Sequence, residues 1–102
     1  MSGKAPVDAH FTKKAQGTVV DHKGVTYAST LNQTNISNNN NKFYILQVIQ
    51  TNPGEYYFFC RWGRVGVPGQ TSEMLTTSLD HAIKLYESKL KDKTKSGNYK
   101  IV

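Results

Sequence analysis

Trp62, Gly63 and Arg64 stand in a row past the middle of the chain, and their side chains suit the terminus of a nucleic acid. An indole stacks on an exposed base or sugar, and a planar guanidinium holds phosphate oxygens two at a time. Gly63 and Gly66 on either side of Arg64 let another backbone approach closely. The same residues also fit an architectural role, with Trp62 in a core and Arg64 paired to a local carboxylate. The tripeptide alone does not choose between the two.

Catalytic constellations are missing from the sequence. His10, His22 and His81 are dispersed, Cys60 is the single cysteine, and no phosphate-loop lysine motif occurs. Neither a Ser-His-Asp nor a Cys-His arrangement can be assembled, and metal-ligand spacing is absent. His81 falls near a first helical turn and reads as a surface residue. These features predict a binding module with no catalytic residue, no metal and no cofactor.

Composition supports a polyanionic partner. Lys and Arg total 13 against 7 Asp and Glu, a formal charge of +6 over 102 residues, which attracts acidic ligands at long range. Lys84, Lys89, Lys91, Lys93, Lys95 and Lys100 crowd the last fifth of the chain. They make either a phosphate-facing surface or a solvated helix face with Glu87 supporting Lys91 at i, i+4. One cysteine allows no internal disulfide and fits a reducing compartment. No apolar run is long enough for a membrane span, and residues 4–8 lack the apolar block of a signal peptide. The acceptor patterns at Asn32 and Asn35 are therefore set aside.

The elements that must carry Trp62 and Arg64 follow from periodicity. Residues 1–20 hold Gly3, Pro6, Gly17 and scattered lysines without apolar repeat, which predicts a flexible lead-in apart from the core. Residues 25–31 alternate as a strand. The asparagine run 38–41 predicts a loop. Residues 42–50 are apolar on both alternating sets, Phe43, Ile45 and Ile49 against Tyr44, Leu46 and Val48, as in a central strand covered on both sides. Asn52-Pro53-Gly54 should turn the chain back into residues 55–62, with Tyr56, Phe58, Cys60 and Trp62 on one face and Tyr57, Phe59 and Arg61 on the other. Residues 70–76 return as a further strand. Ser78 caps a helix over residues 79–93 whose apolar stripe is Leu79, Ala82, Ile83, Tyr86 and Leu90. Residues 99–102 can add a short edge strand. The result is an α+β fold: an antiparallel sheet of four to five strands with one α-helix packed across one face, and the opposite face partly exposed or engaged elsewhere.

The stretches LNQTNISNNNNKFYILQVIQ and YYFFCRWGRVGVPGQ resemble the two signature segments of the WGR domain of DNA-dependent poly(ADP-ribose) polymerases. The similarity runs through DHAIKLYESKLKDKTK, covering residues 25–95, and APVD resembles the linker that precedes the domain. It implies a twisted antiparallel sheet crossed by one helix, with the domain spanning residues 21–102. It further implies binding of DNA strand breaks, particularly 5′-phosphorylated ends or nicks, relayed in the nucleus to a helical regulatory domain and an ADP-ribosyltransferase domain. By the same resemblance Trp62 packs on the terminal sugar, with Gly63 giving clearance, and Arg64 links the end to neighbouring domains. Asn41 and Lys42 match positions facing the DNA end, Gln33 a nearby polar contact, and Tyr99 the tyrosine of the final strand near the phosphate. After Lys95 the chain is shorter than the family's pattern, Ser96-Gly97-Asn98-Tyr99 following at once. Beside DNA-end binding stand two other functions: an adaptor docking on a transferase or other protein through Arg64, and a general RNA binder through the aromatic strand.

Overall fold

The computed structural model of the chain describes residues 5–35, 40–95 and 97–102. In chain order its strands are β1 (Thr18–Val19), β2 (Asp21–His22), β3 (Val25–Thr26), β4 (Ala28–Asn35), β5 (Asn40–Asn52), β6 (Glu55–Arg64) and β7 (Gln70–Thr76), then helix α1 (Leu79–Thr94) and strand β8 (Lys100–Ile101). The main sheet is antiparallel with the order β7-β6-β5-β4-β8, and β1 pairs with β5 beyond the start of β4. That makes six strands in this sheet among the described residues, more than the four to five the periodicity predicts. The addition is β1, a two-residue piece that carries no alternation of its own. The β2–β3 hairpin forms a separate two-stranded sheet, an excursion between Val20 and Tyr27 that splits the strand expected over residues 25–31 into β3 and β4. Val20 and Tyr27 both bond Val48, whose oxygen accepts from Val20 N–H and whose N–H donates to Tyr27, each at 2.9 Å.

The central hairpin forms as its residues require. Gly54 takes φ +80°, a backbone conformation glycine adopts without penalty, so β5 returns directly into β6 after Asn52 and Pro53. The register then shifts between Gln50 and Asn52. This bulge places Tyr44 opposite Trp62 and Leu46 opposite Cys60. Without it every facing pair would be offset by one residue and the two apolar sets would mismatch. The asparagine run splits: Asn40 and Asn41 belong to β5, correcting the loop expected there, while Asn38 and Asn39 lie outside the described residues.

Helix α1 begins at Ser78, whose Oγ accepts the His81 N–H at 3.2 Å, the cap that its position predicts. Ala82 and Tyr86 are buried against Leu31, Tyr44, Leu46, Val48, Phe58 and Cys60, so the helix covers the even-numbered face of β5 and β6. The Tyr86 hydroxyl bonds Ser29, and its ring meets Tyr27 edge-on at 5.3 Å.

The opposite face is covered by the segment before β1, and here the expected lead-in is corrected. Phe11 is 2% exposed and packs with Ile49, Tyr57 and Phe59, its ring edge-on to Tyr57 at 5.2 Å and to Phe59 at 5.6 Å. Lys13 sits over the Tyr57 ring at 5.6 Å. Gln47 points into this face and is 6% exposed. Its Oε1 accepts the Asp8 N–H and its Nε2 donates to the Pro6 oxygen, both at 3.0 Å. A glutamine in a buried strand is costly without partners, and the N-terminal segment supplies them. Phe11, with Val7 beside it, thus joins the core because β5 and β6 are apolar on both faces and one helix can cover only one of them.

Candidate nucleic-acid interface

Cross-strand register gathers the candidate residues at one end of the sheet. Lys42 on β5 is opposite Gln33 on β4 and opposite Arg64 on β6, forming one row across three strands. The next row is Leu31, Tyr44 and Trp62. Leu31 and Tyr44 face α1, so alternation puts Gln33, Lys42 and Arg64 on the helix-bearing face as well, one pleat beyond the helix. Lys42 and Arg64 are exposed. Two cations at cross-strand spacing, about 5 Å between Cβ atoms, concentrate positive potential at this edge.

Trp62 is half-buried and backed by a second ring. Its indole stacks on Tyr44 with centroids 5.5 Å apart and planes 12° from parallel. Tyr99 meets Tyr44 edge-on at 6.0 Å. Lys93, in the last turn of α1, places Nζ 4.9 Å from the Tyr44 centroid and 5.9 Å from that of Tyr99, an attractive arrangement of ammonium and π-face. The Tyr99 N–H donates to the Lys93 oxygen at 3.3 Å, which fixes the last segment against the helix despite its brevity. Burial, reinforced by the Cys60 thiol beside it, pushes the Tyr44 hydroxyl up to about 12. Burial likewise pushes Cys60 up to about 11, against the opposing charge of Lys89.

The glycines serve the strand-to-strand turn. A Cβ on Gly63 would lie 2.9 Å from the Gly69 Cα, and one on Gly69 would lie 2.2 Å from the Trp62 oxygen. The backbone that approaches Gly63 is therefore the chain's own, closing the connection from β6 to β7. Gly66 takes φ +102° in the same turn.

Of the sequence candidates, Gln33, Lys42, Trp62, Arg64 and Tyr99 come together on one face, and Gly63 lies beside them. Asn41 stands apart. It is opposite Thr34, alternation turns its side chain to the other face, and its oxygen accepts the Val65 N–H at 2.9 Å. The lysine cluster also divides: Lys93 turns to the aromatic pair, Lys95 pairs with Asp92 at 3.6 Å, and Lys100, opposite Asn32, faces away. Tyr44 and Lys93 are the members that sequence reasoning assigned to core and general charge. For Tyr44 the missing signal was the bulge that aligns it with Trp62; for Lys93 it was the packing of the end of α1 over the Tyr44 ring. A groove of about 550 Å³ runs from Trp62 and Tyr44 between α1 and β7, lined also by Cys60, Met74 and Leu85. Among the described residues no group of three or more His, Cys, Asp or Glu is placed to hold a metal ion, and no helix is long and apolar enough to cross a membrane.

Residues 27–100 match the family model described as WGR domain. The chain is similar to human protein mono-ADP-ribosyltransferase PARP3, 50% identical over 71 residues covering 70% of this chain and 13% of that protein. It is similar to poly [ADP-ribose] polymerase 2 of Arabidopsis thaliana, 42% identical over 85 residues covering 81% of this chain and 13% of that one. Human poly [ADP-ribose] polymerase 2 is 38% identical over 100 residues, 95% of this chain and 17% of the relative. The chain thus spans under a fifth of the length of these relatives. With the family match covering β4 to β7, the helix and the face that gathers Trp62 and Arg64, the chain belongs to the WGR domain family.

Proposed function

We propose that this chain is a DNA-end binding module that recognises 5′-phosphorylated breaks and, within a nuclear ADP-ribosyltransferase, relays their detection to helical and catalytic domains. The observation that supports it is the juxtaposition of the Gln33–Lys42–Arg64 row with the Trp62–Tyr44 stack. A stacking platform needs an unstacked sugar or base, which duplex offers only at an end or nick, and neighbouring cations favour the phosphate that an end carries. The preference is accordingly for the end and not for base sequence. Relay to a second domain falls to the turn after Arg64, where Val65 and Val67 are exposed.

Fluorescence anisotropy with nicked and blunt duplexes, with and without 5′-phosphate, against closed circular duplex tests the reading. Trp62→Ala is expected to weaken binding to nicks and ends about tenfold, on the order of the energy of one stacked base, and to leave weak binding to the closed circle unchanged. Equal binding of the wild type to every substrate would overturn it. Retention of an isolated helical-plus-catalytic fragment in high salt after nuclease treatment, with no end preference, would favour the adaptor function instead.

A further inference from the structure

The face of the sheet opposite Trp62 carries a charged hub. Arg61 on β6 lies over the Phe43 ring at 5.0 Å, and its guanidinium is shared between two distant segments. Nε donates to both Asp8 carboxylate oxygens at 3.1 Å, and Nη2 lies 3.1 Å from Oδ2. Nη1 donates to the Pro68 oxygen at 2.8 Å. Asp8 is fixed in turn by Gln47, which accepts its N–H, and through Gln47 by the Pro6 oxygen. Pro68 belongs to the turn that starts at Arg64: the Val67 N–H donates to the Arg64 oxygen at 3.2 Å, and Val65 donates back to Asn41 on β5. Gly69 closes the turn against the Trp62 carbonyl, with Phe43 beside it.

We propose that Asp8 and Arg61 are positioning residues for the end-binding face: the N-terminal segment, through Arg61, fixes the turn of residues 65–69 and with it the direction in which Arg64 is presented beside Trp62. The inference rests on the reading of that face as a DNA-end site. It makes the functional unit larger than the matched residues 27–100. The chemistry favours arginine, because a rigid fork holds a carboxylate and a carbonyl at once, whereas a lysine ammonium on a flexible stem does not hold both in fixed geometry.

Arg61→Lys and Asp8→Asn in the full chain test it, each standing in if the other fails to fold. Amide hydrogen exchange by NMR compares Val65 and Val67 with Leu46 and Val48 in the core. Anisotropy compares a 5′-phosphorylated nick with closed circular duplex. Exchange at Val65 and Val67 is expected to rise about tenfold more than at the core amides, since lost anchoring opens the turn locally. Nick affinity should fall about fivefold with circle affinity unchanged, as expected of a loosened site. The proposal is overturned if the turn and core amides change together, or if the turn loosens while a nick preference present in the wild type is retained. A wild type without nick preference removes the DNA reading, and turn exchange alone then decides whether the clamp exists.

Discussion

Tyr44, stacked on Trp62, and Cys60, beside Tyr44, show how burial governs single residues. The thiol ionises near 11 instead of its ordinary 9.0, and the phenol near 12 instead of 10.0, because a charge on either would be stranded between sheet and helix. With folded values above unfolded ones, both groups contribute stability that is complete below pH 9 and is lost as pH rises from 9 towards 12. A thiol shifted by about two units holds about a hundredfold less thiolate near pH 8, and thiolate is the reactive form. Labelling of the native protein with a thiol-reactive disulfide at pH 8 should therefore run about a hundredfold slower than labelling in urea. A native rate within about threefold of the unfolded one would mean that Cys60 is open to solvent and that the backing of Trp62 is loose. Residue type left Trp62 and Arg64 open between a nucleic-acid contact and an architectural role, and it gave no sign of the second ring under Trp62. A count from the 52–55 turn puts Tyr44 opposite Gly63, and only the bulge at Gln50–Asn52 moves it opposite Trp62.

Among the elements, the segment before β1 departs most from its sequence. Phe11 stands amid polar and small residues, so no period announces burial, yet it closes the face formed by Ile49, Tyr57 and Phe59. Phe11→Ala should cost about 3 kcal/mol, the lower end for a buried phenylalanine, and lower Tm by about 12 °C or more in a domain of this size. Melting followed by circular dichroism checks it, and a shift below about 3 °C would mean the segment lies off the sheet in solution. The longer elements were readable. β7 spans Gln70–Thr76 as alternation predicts, and α1 spans Leu79–Thr94 behind its Ser78 cap. β5 was recognised as central because both its faces are apolar. That same observation demanded a second covering layer, but the polar composition of residues 5–20 concealed which segment supplies it. Residues 25–31 were read as one strand, and the break at Tyr27 that divides them into β3 and β4 depends on tertiary hydrogen bonds around Val48, as β1 depends on its pairing with β5, neither of which leaves a mark in local sequence.

Across the whole molecule a charge of +6 attracts any polyanion, and what distinguishes a site from a general basic surface is which cations face the ligand. The register puts Lys42 and Arg64 on the helix-bearing face and the helix adds Lys93, whereas Lys100 pairs opposite Asn32 on the other side. On the proposed reading, in which Lys42, Arg64 and Lys93 neutralise phosphates, log K against log salt should have a slope of about −2.7 for a nicked duplex, at about 0.9 per neutralised phosphate. Lys42→Ala should make that slope shallower by about 0.9 and weaken binding at every salt concentration measured. Lys100→Ala carries the same change in net charge but should leave the slope as it is. Trp62→Phe keeps every cation, so it should shift the line without tilting it. The comparison separates geometry from bulk charge because Lys42→Ala and Lys100→Ala leave proteins of identical net charge. Titrations of nicked duplex from low to physiological salt decide it: equal slopes for these two variants would show that the surface acts as a diffuse basic field, and a loss confined to Lys42→Ala would localise the phosphate beside Trp62.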